Sequence, residues 1–152
     1  MSTAFVGLEG YTLPTGFILK ELCIIYPNSE FDHYLFKMPN WYLTEGAQRT
    51  IRYTTQVLNN LSYMDGKVPY EEISNVLDPI KDTIIYTYSD IAVSFLQRYL
   101  PTTVVKNVQS DGFKMPNILP DSNCFRTHCP RYCAKSKAIA VKEYAENFTG
   151  YV

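Results

Sequence analysis

Apolar and polar residues alternate with a period close to two along the first part of the chain, a pattern typical of β-strands with one buried face. Residues 4–9 form a short stretch of this kind, residues 17–26 a longer and almost continuously apolar one, and residues 31–37 a third. The turns between them are short and contain Pro14 and Pro27. We therefore predict three consecutive strands that form an antiparallel meander.

From Thr44 onwards, apolar residues recur at the spacing of three and four that predicts helices. The predicted elements are, in order, a helix capped by Thr44 and stopped at Asp65-Gly66, a short helix over residues 69–77, a strand over 82–88, a helix capped by Ser89 and ended by Pro101, a strand over 102–108, and a last helix over 134–148. The crossover between the last two strands should be right-handed and parallel. The pattern as a whole predicts an α/β fold, with a mixed five-stranded sheet and helices on its faces.

The composition limits the size and class of the protein. With 152 residues, of which 46% are apolar, the chain can bury one sizeable core, so we expect a single domain over residues 1–152. The net charge of -1 excludes a global basic field for nucleic acid or an anionic membrane. No apolar run approaches the ~20 residues of a membrane span, and the N-terminus lacks a signal-peptide pattern. We expect an intracellular protein, cytoplasmic or nuclear, without a membrane partner.

Three of the four cysteines lie with a histidine just ahead of the last predicted helix. Cys124, His128, Cys129 and Cys133 have the spacing C-x3-H-C-x3-C. Thiolate and imidazole ligands at this density suit a tetrahedral zinc ion better than other metals. Because adjacent residues such as His128 and Cys129 rarely both reach one metal, a further ligand should come from elsewhere in the chain. The alternative is a group of reduced thiols near the core.

One carboxylate stands inside the most apolar predicted strand. Strict alternation places five residues on one face, namely Phe17, Leu19, Glu21, Cys23 and Ile25. A buried carboxylate must be neutralised, paired or bound to a cation, and a hydrogen-bonded core glutamate is the alternative to a metal ligand for Glu21. We interpret Cys23 as a core thiol and His33 as a half-exposed strand histidine.

Three local motifs resemble the DEDD 3'-5' exonucleases of the ribonuclease H-like fold. They are FVGLEGY with the strands FILKELCII and DHYLFKMP, then IIYTYSDIAVSFLQRYL, then HCPRYCAKSKA. The resemblance implies a ribonuclease H-like sheet, three antiparallel strands followed by parallel strands, and four acids that hold two metal ions. Of these acids the chain keeps only Glu9. It has Ala92 in place of the second-motif aspartate, with Asp90 two residues away, and Cys133 in place of the third-motif acid. The resemblance therefore implies that the two-metal chemistry is lost.

The chain is also similar to the Maelstrom domain, a branch of that fold which lacks the acids and carries a Glu, Cys, His, Cys zinc set. This resemblance places the set on Glu21, Cys124, His128 and Cys133, with Cys129 or Cys23 as candidate replacements. It also implies RNA binding. Similar short domains occur in insect mobile-element and virus-like sequences, and such an origin fits this chain.

Basic residues surround the predicted zinc site, namely Arg126, Arg131, Lys135, Lys137 and Lys142. Such a patch could bind phosphates, although a solvated helix face explains it equally well. Unpaired bases could stack on Phe125, Tyr132 or Trp41.

Three functions follow from these patterns. The first is a zinc-stabilised, catalytically degenerate exonuclease-like domain that binds nucleic acid, above all single-stranded RNA. The second is an active metal-dependent nuclease with a rearranged site built from Glu9, Asp90 and either Asp82 or Asp111. The third is a protein-interaction module that uses the tyrosine-rich surface and the loop around Trp41.

Overall fold

The computed structural model describes residues 2–39, 41–59, 61–115 and 133–147. Its strands are β1 (Thr3–Leu13), β2 (Gly16–Ile25), β3 (Phe31–Lys37), β4 (Val68–Pro69), β5 (Ile84–Thr87) and β6 (Val104–Asn107). Its α-helices are α1 (Glu45–Tyr53), α2 (Ile73–Leu77), α3 (Asp90–Tyr99) and α4 (Ala134–Asn147). A π-helical turn (Thr54–Asn59) follows α1, and 3-10 turns cover Tyr70–Glu72, Asp78–Ile80 and Val108–Asp111.

The strands form one mixed sheet in the order β4-β3-β2-β1-β5-β6. β1 and β3 both pair antiparallel with β2, whereas β5 is parallel to both β1 and β6. The predicted α/β class, the antiparallel meander and the parallel connection through α3 are confirmed. The sheet has six strands rather than the predicted five, because the two-residue β4 pairs with the outer edge of β3.

Two predicted helix starts are confirmed by their capping hydrogen bonds. The Thr44 hydroxyl accepts from the Ala47 amide at 3.1 Å, and the Ser89 hydroxyl accepts from the Ala92 amide at 3.1 Å. The α-helix that begins after Thr44 is shorter than predicted, because it ends at Tyr53 and gives way to the π-helical turn. No helix in the described part of the chain is both long and apolar enough to cross a bilayer.

A β-bulge in β2 changes which side chains share a face. Glu21 is opposite Glu9, but Leu19 is opposite Gly10, so Lys20 is the extra residue. Leu19 consequently packs in the core on the other side of the sheet from Cys23. The predicted stripe that places Phe17 and Leu19 beside Glu21 is therefore wrong, because the period of two is interrupted at the bulge.

Helix α4 covers the face of β1 and β2 that carries Glu9, Gly7 and Phe5. A series of small buried residues, Ala134, Ala138 and Ala145, lets the helix approach the sheet closely. A β-carbon at Gly7 would overlap the Ala134 carbonyl oxygen and lie 2.8 Å from the Ala138 nitrogen. The first half of α4 is thereby held directly against the centre of the sheet.

Candidate functional site

Two carboxylates lie side by side beneath α4. Glu9 on β1 and Glu21 on β2 are directly opposite in the antiparallel register, so their side chains point to the same face. Both are buried. The repulsion between two carboxylates in this arrangement is offset when each carboxylate has a partner of its own. Each of the two carboxylates has such a partner in α4.

Glu9 is bound by a lysine from the second turn of α4. Its Oε2 lies 2.5 Å from Nζ of Lys137, and its Oε1 accepts longer hydrogen bonds from Asn59 Nδ2 at 3.4 Å and from the Gly10 amide at 3.3 Å. The Lys137 side chain is only 12% exposed. Burial alone would lower the pKa of Lys137, but its contacts with Tyr88 and Glu9 raise that pKa above the usual value, so the ammonium stays charged.

Tyr88 completes this cluster. Its hydroxyl accepts from Lys137 Nζ at 3.2 Å and donates to the Leu8 carbonyl at 2.8 Å. Burial raises the pKa of Tyr88, which keeps the phenol protonated and able to donate. We call Glu9, Lys137, Tyr88 and Asn59 the Glu9 cluster.

The π-helical turn after α1 brings Asn59 to this cluster. Asn59 Nδ2 also donates to the Gly10 carbonyl at 3.3 Å, and its Oδ1 accepts from the Leu61 amide at 2.9 Å. Such turns are frequent at functional sites because the extra residue redirects a side chain. Asn59 is not predicted by the sequence, since no local pattern distinguishes this turn from the end of an ordinary helix.

Glu21 is bound by two other groups. Its Oε1 accepts from the Ala134 amide at 2.8 Å, and its Oε2 lies 2.7 Å from His33 Nε2. The carboxylate thus satisfies one of the amides at the start of α4 that have no partner within the helix. These contacts are those of a hydrogen-bonded core glutamate, the predicted alternative to a metal ligand. A carboxylate has about four lone-pair positions, so two hydrogen bonds do not prevent it from also binding a cation.

His33 is more buried than its predicted role implies. Its side chain is 6% exposed and is in contact with Glu21. His33 pairs with Cys23 in the β2–β3 register, so it lies on the same face as Glu21, two positions along. Alternation along β2 and β3 predicts that His33 and Glu21 share a face only when the pairing register of the two strands is known.

The structure describes half of the predicted zinc set. Glu21 contacts the residue that follows Cys133, and Cys133 is buried at the start of α4, where its carbonyl accepts from the Lys137 amide at 3.0 Å. Cys124, His128 and the candidate replacement Cys129 lie outside the described residues. Cys23 is buried under α4. Among the described residues no three His, Cys, Asp or Glu side chains group as metal ligands, so zinc stays a prediction.

The acids of the alternative nuclease site do not gather around Glu9. Asp90 begins α3 and accepts from Asn107 Nδ2 at 2.9 Å, while Asp82 and Asp111 lie in other turns. All four acids belong to the described ranges, in which no such group of three occurs. Ala92, at the place of the second-motif aspartate, is buried in α3.

The predicted basic surface is divided by the fold. Lys137 is turned inward to Glu9 and does not contribute to it. Lys135 lies over the Phe31 ring, with Nζ 3.9 Å from the centroid, and Lys142 pairs with Glu146 one turn along α4. Arg126 and Arg131 lie outside the described residues.

Comparisons of the chain with protein-family models, with curated proteins and with solved structures give no match.

Proposed function

We propose that this chain is a zinc-stabilised, catalytically degenerate exonuclease-like domain of the ribonuclease H-like fold, and that it binds single-stranded RNA. The contact between Glu9 and Lys137 carries the loss of catalysis, and RNA binding is what the resemblance to the Maelstrom domain implies. In an active two-metal site, the acid at this place shares divalent ions with other carboxylates. Here a lysine ammonium takes the position of the cation, 2.5 Å from the carboxylate.

The environment of Glu9 supports the loss of the chemistry. Gly7, at the place of the missing first acid, faces the α4 backbone with no room for a side chain. An ammonium neutralises a carboxylate, but it cannot activate a water molecule or stabilise two oxygens of a phosphodiester as a divalent metal pair does. The Glu9 cluster is thus suited to holding α4 on the sheet rather than to hydrolysis.

The sheet supports the assignment of the fold. Three antiparallel strands, β1 to β3, are followed by β5 and β6, which continue the sheet in parallel from β1. This is the arrangement that the resemblance implies, with β4 as a short addition at the outer edge.

A zinc ion at the start of α4 would serve a structural purpose. Glu21 from β2 accepts from the amide of Ala134, the residue that follows Cys133, and the proposed set of Glu21, Cys124, His128 and Cys133 would supply one oxygen, one nitrogen and two sulfur ligands. Such an ion would fasten the segment before α4 to the central strands. The contacts of Glu21 with His33 and the Ala134 amide would fix the orientation of the carboxylate.

RNA binding is tested with a fluorescently labelled single-stranded oligonucleotide of mixed sequence, titrated with the protein and followed by anisotropy. We expect saturable binding that weakens as salt increases, because phosphate contacts release counterions. A loss of affinity in Lys135→Ala, with no loss in Lys81→Ala, which removes an exposed lysine paired with Asp78, would assign the RNA to the basic residues of α4. The absence of any binding at low salt would remove the proposed function.

A further inference from the structure

A groove of about 700 Å³ lies beside the β1–β2 turn. Its wall is formed by the β1–β2 turn, by the loop before α1 and by the first turns of α1. The large side chains that line the groove include Leu13, Ile18, Trp41, Tyr42 and Arg49. None of them belongs to the Glu9 cluster or to the predicted zinc set.

Two aromatic side chains in this groove offer surface to a ligand. Trp41 is 44% exposed and Tyr42 is 93% exposed. The Trp41 indole is held edge-on against the Tyr70 ring, with 4.9 Å between centroids and 79° between planes, and its backbone amide donates to Pro39 at 2.9 Å. A fixed aromatic ring with a large accessible area favours stacking, since little conformational freedom is lost when a planar ligand binds.

The charge of the groove selects the class of ligand. Arg49 is the one charged side chain among the described residues that line it, and no carboxylate accompanies it there. The groove beside Phe31 differs, because Glu143 lines it together with Lys135 and Lys142. Aromatic surface beside a single cationic side chain suits a planar base that carries a phosphate.

We propose that the Trp41 groove is the place where single-stranded RNA binds, with a base stacked on Trp41 and Tyr42 and its phosphate directed to Arg49. This inference rests on the proposed function, since it names the surface that would receive the RNA. Apolar side chains of the β1–β2 turn close one side of the groove and favour an unpaired base over a duplex.

Trp41 provides a direct reporter because it is the only tryptophan of the chain. Unlabelled oligouridylate, which absorbs little at the excitation wavelength, is titrated into the full chain at low salt. We expect quenching of the Trp41 emission with the same midpoint as an anisotropy titration of labelled oligouridylate. Because Tyr42 is almost fully exposed, Tyr42→Ala should leave folding intact, and it should weaken binding about tenfold, the usual loss for one stacking partner.

Arg49→Ala and Arg52→Ala form the matched pair. Both remove one arginine from α1, but only Arg49 lines the groove. Arg49→Ala should weaken binding and reduce the slope of log affinity against log salt by about 0.7, the value for one phosphate contact with a single strand. Arg52→Ala should leave the slope unchanged.

The outcomes separate the two proposals. If RNA raises the anisotropy but neither quenches Trp41 nor loses affinity in Tyr42→Ala and Arg49→Ala, RNA binds elsewhere and this inference is wrong, while the proposed function stands. If labelled RNA does not bind at all, the proposed function fails. If instead an apolar dye binds the groove and RNA cannot displace it, the groove serves an apolar partner, which also overturns the inference.

Discussion

Replacing Lys137 by methionine should strongly destabilise the fold, because it leaves the Glu9 carboxylate buried without its cation. Removal of one partner of a buried ion pair typically costs about 3–5 kcal/mol. Lys137 and Glu9 keep a small exposed fraction, and Asn59 and the Gly10 amide remain as hydrogen-bond donors. We therefore expect the unfolding free energy to fall by about 3 kcal/mol, the lower limit of that range.

The pH of the assay follows from the pKa of Lys137. Folding raises this pKa above its usual 10.5, so the stabilisation is complete below pH 10.5 and is lost only as the pH rises from there towards the folded-state pKa. Urea denaturation at pH 7, followed by far-ultraviolet circular dichroism, therefore measures the full contribution.

The double variant isolates the pair. Glu9→Gln removes the charge that Lys137 neutralises, so Glu9→Gln with Lys137→Met should be more stable than Lys137→Met alone. We expect a coupling free energy of about 2 kcal/mol from the complete cycle. A loss below about 0.5 kcal/mol in Lys137→Met, or strictly additive losses in the cycle, would show that the ammonium does not stabilise the carboxylate and would refute this reasoning.

Three further predictions concern the same face of the sheet. Purified protein should contain about one zinc per chain by mass spectrometry. Glu21→Gln should lose the zinc, and a chelator should then no longer lower the stability, as it should in the wild type. Equal zinc in both proteins would exclude Glu21 as a ligand. Gly7→Ala should cost about 1–3 kcal/mol in a denaturation experiment, because the new methyl group overlaps α4. Gly46→Ala on α1, whose added methyl group meets only the Thr44 hydroxyl oxygen at 3.9 Å, should be neutral or stabilising. His33→Ala should lower the unfolding free energy by about 1–2 kcal/mol through the bond lost by Glu21, and an unchanged denaturation midpoint would count against that bond.

Local chemistry accounts for the elements that the sequence predicted well. Thr44 and Ser89 cap helices through their own hydroxyl groups, and apolar alternation marks the strands without knowledge of their partners. The bulge at Lys20 gave no such signal, since the residue occupies an ordinary position in an apolar run. The side chain is nevertheless buried, and its ammonium donates to the Phe36 carbonyl at 2.7 Å.

The partners of the buried carboxylates are distant in sequence, which explains why the site was predicted only in part. Polarity identified Glu21 as a residue that needs a partner, and only the resemblance to the Maelstrom domain placed Cys133, just before the last helix, near it. Lys137 was assigned to the surface because lysine is usually exposed, and only the docking of α4 on Gly7 turns it towards Glu9. The position of Asn59 beside Glu9 depends in addition on the π-helical turn, which the sequence does not predict.

The account is tested most directly by incubating end-labelled single-stranded RNA with the wild-type chain and with Glu9→Gln in Mn²⁺ or Mg²⁺, and following both binding and RNA length. We predict that both proteins bind the RNA and that it stays at full length, because the Glu9 carboxylate is committed to Lys137. Shortening of the RNA that requires the divalent ion and disappears in Glu9→Gln would contradict the central claim.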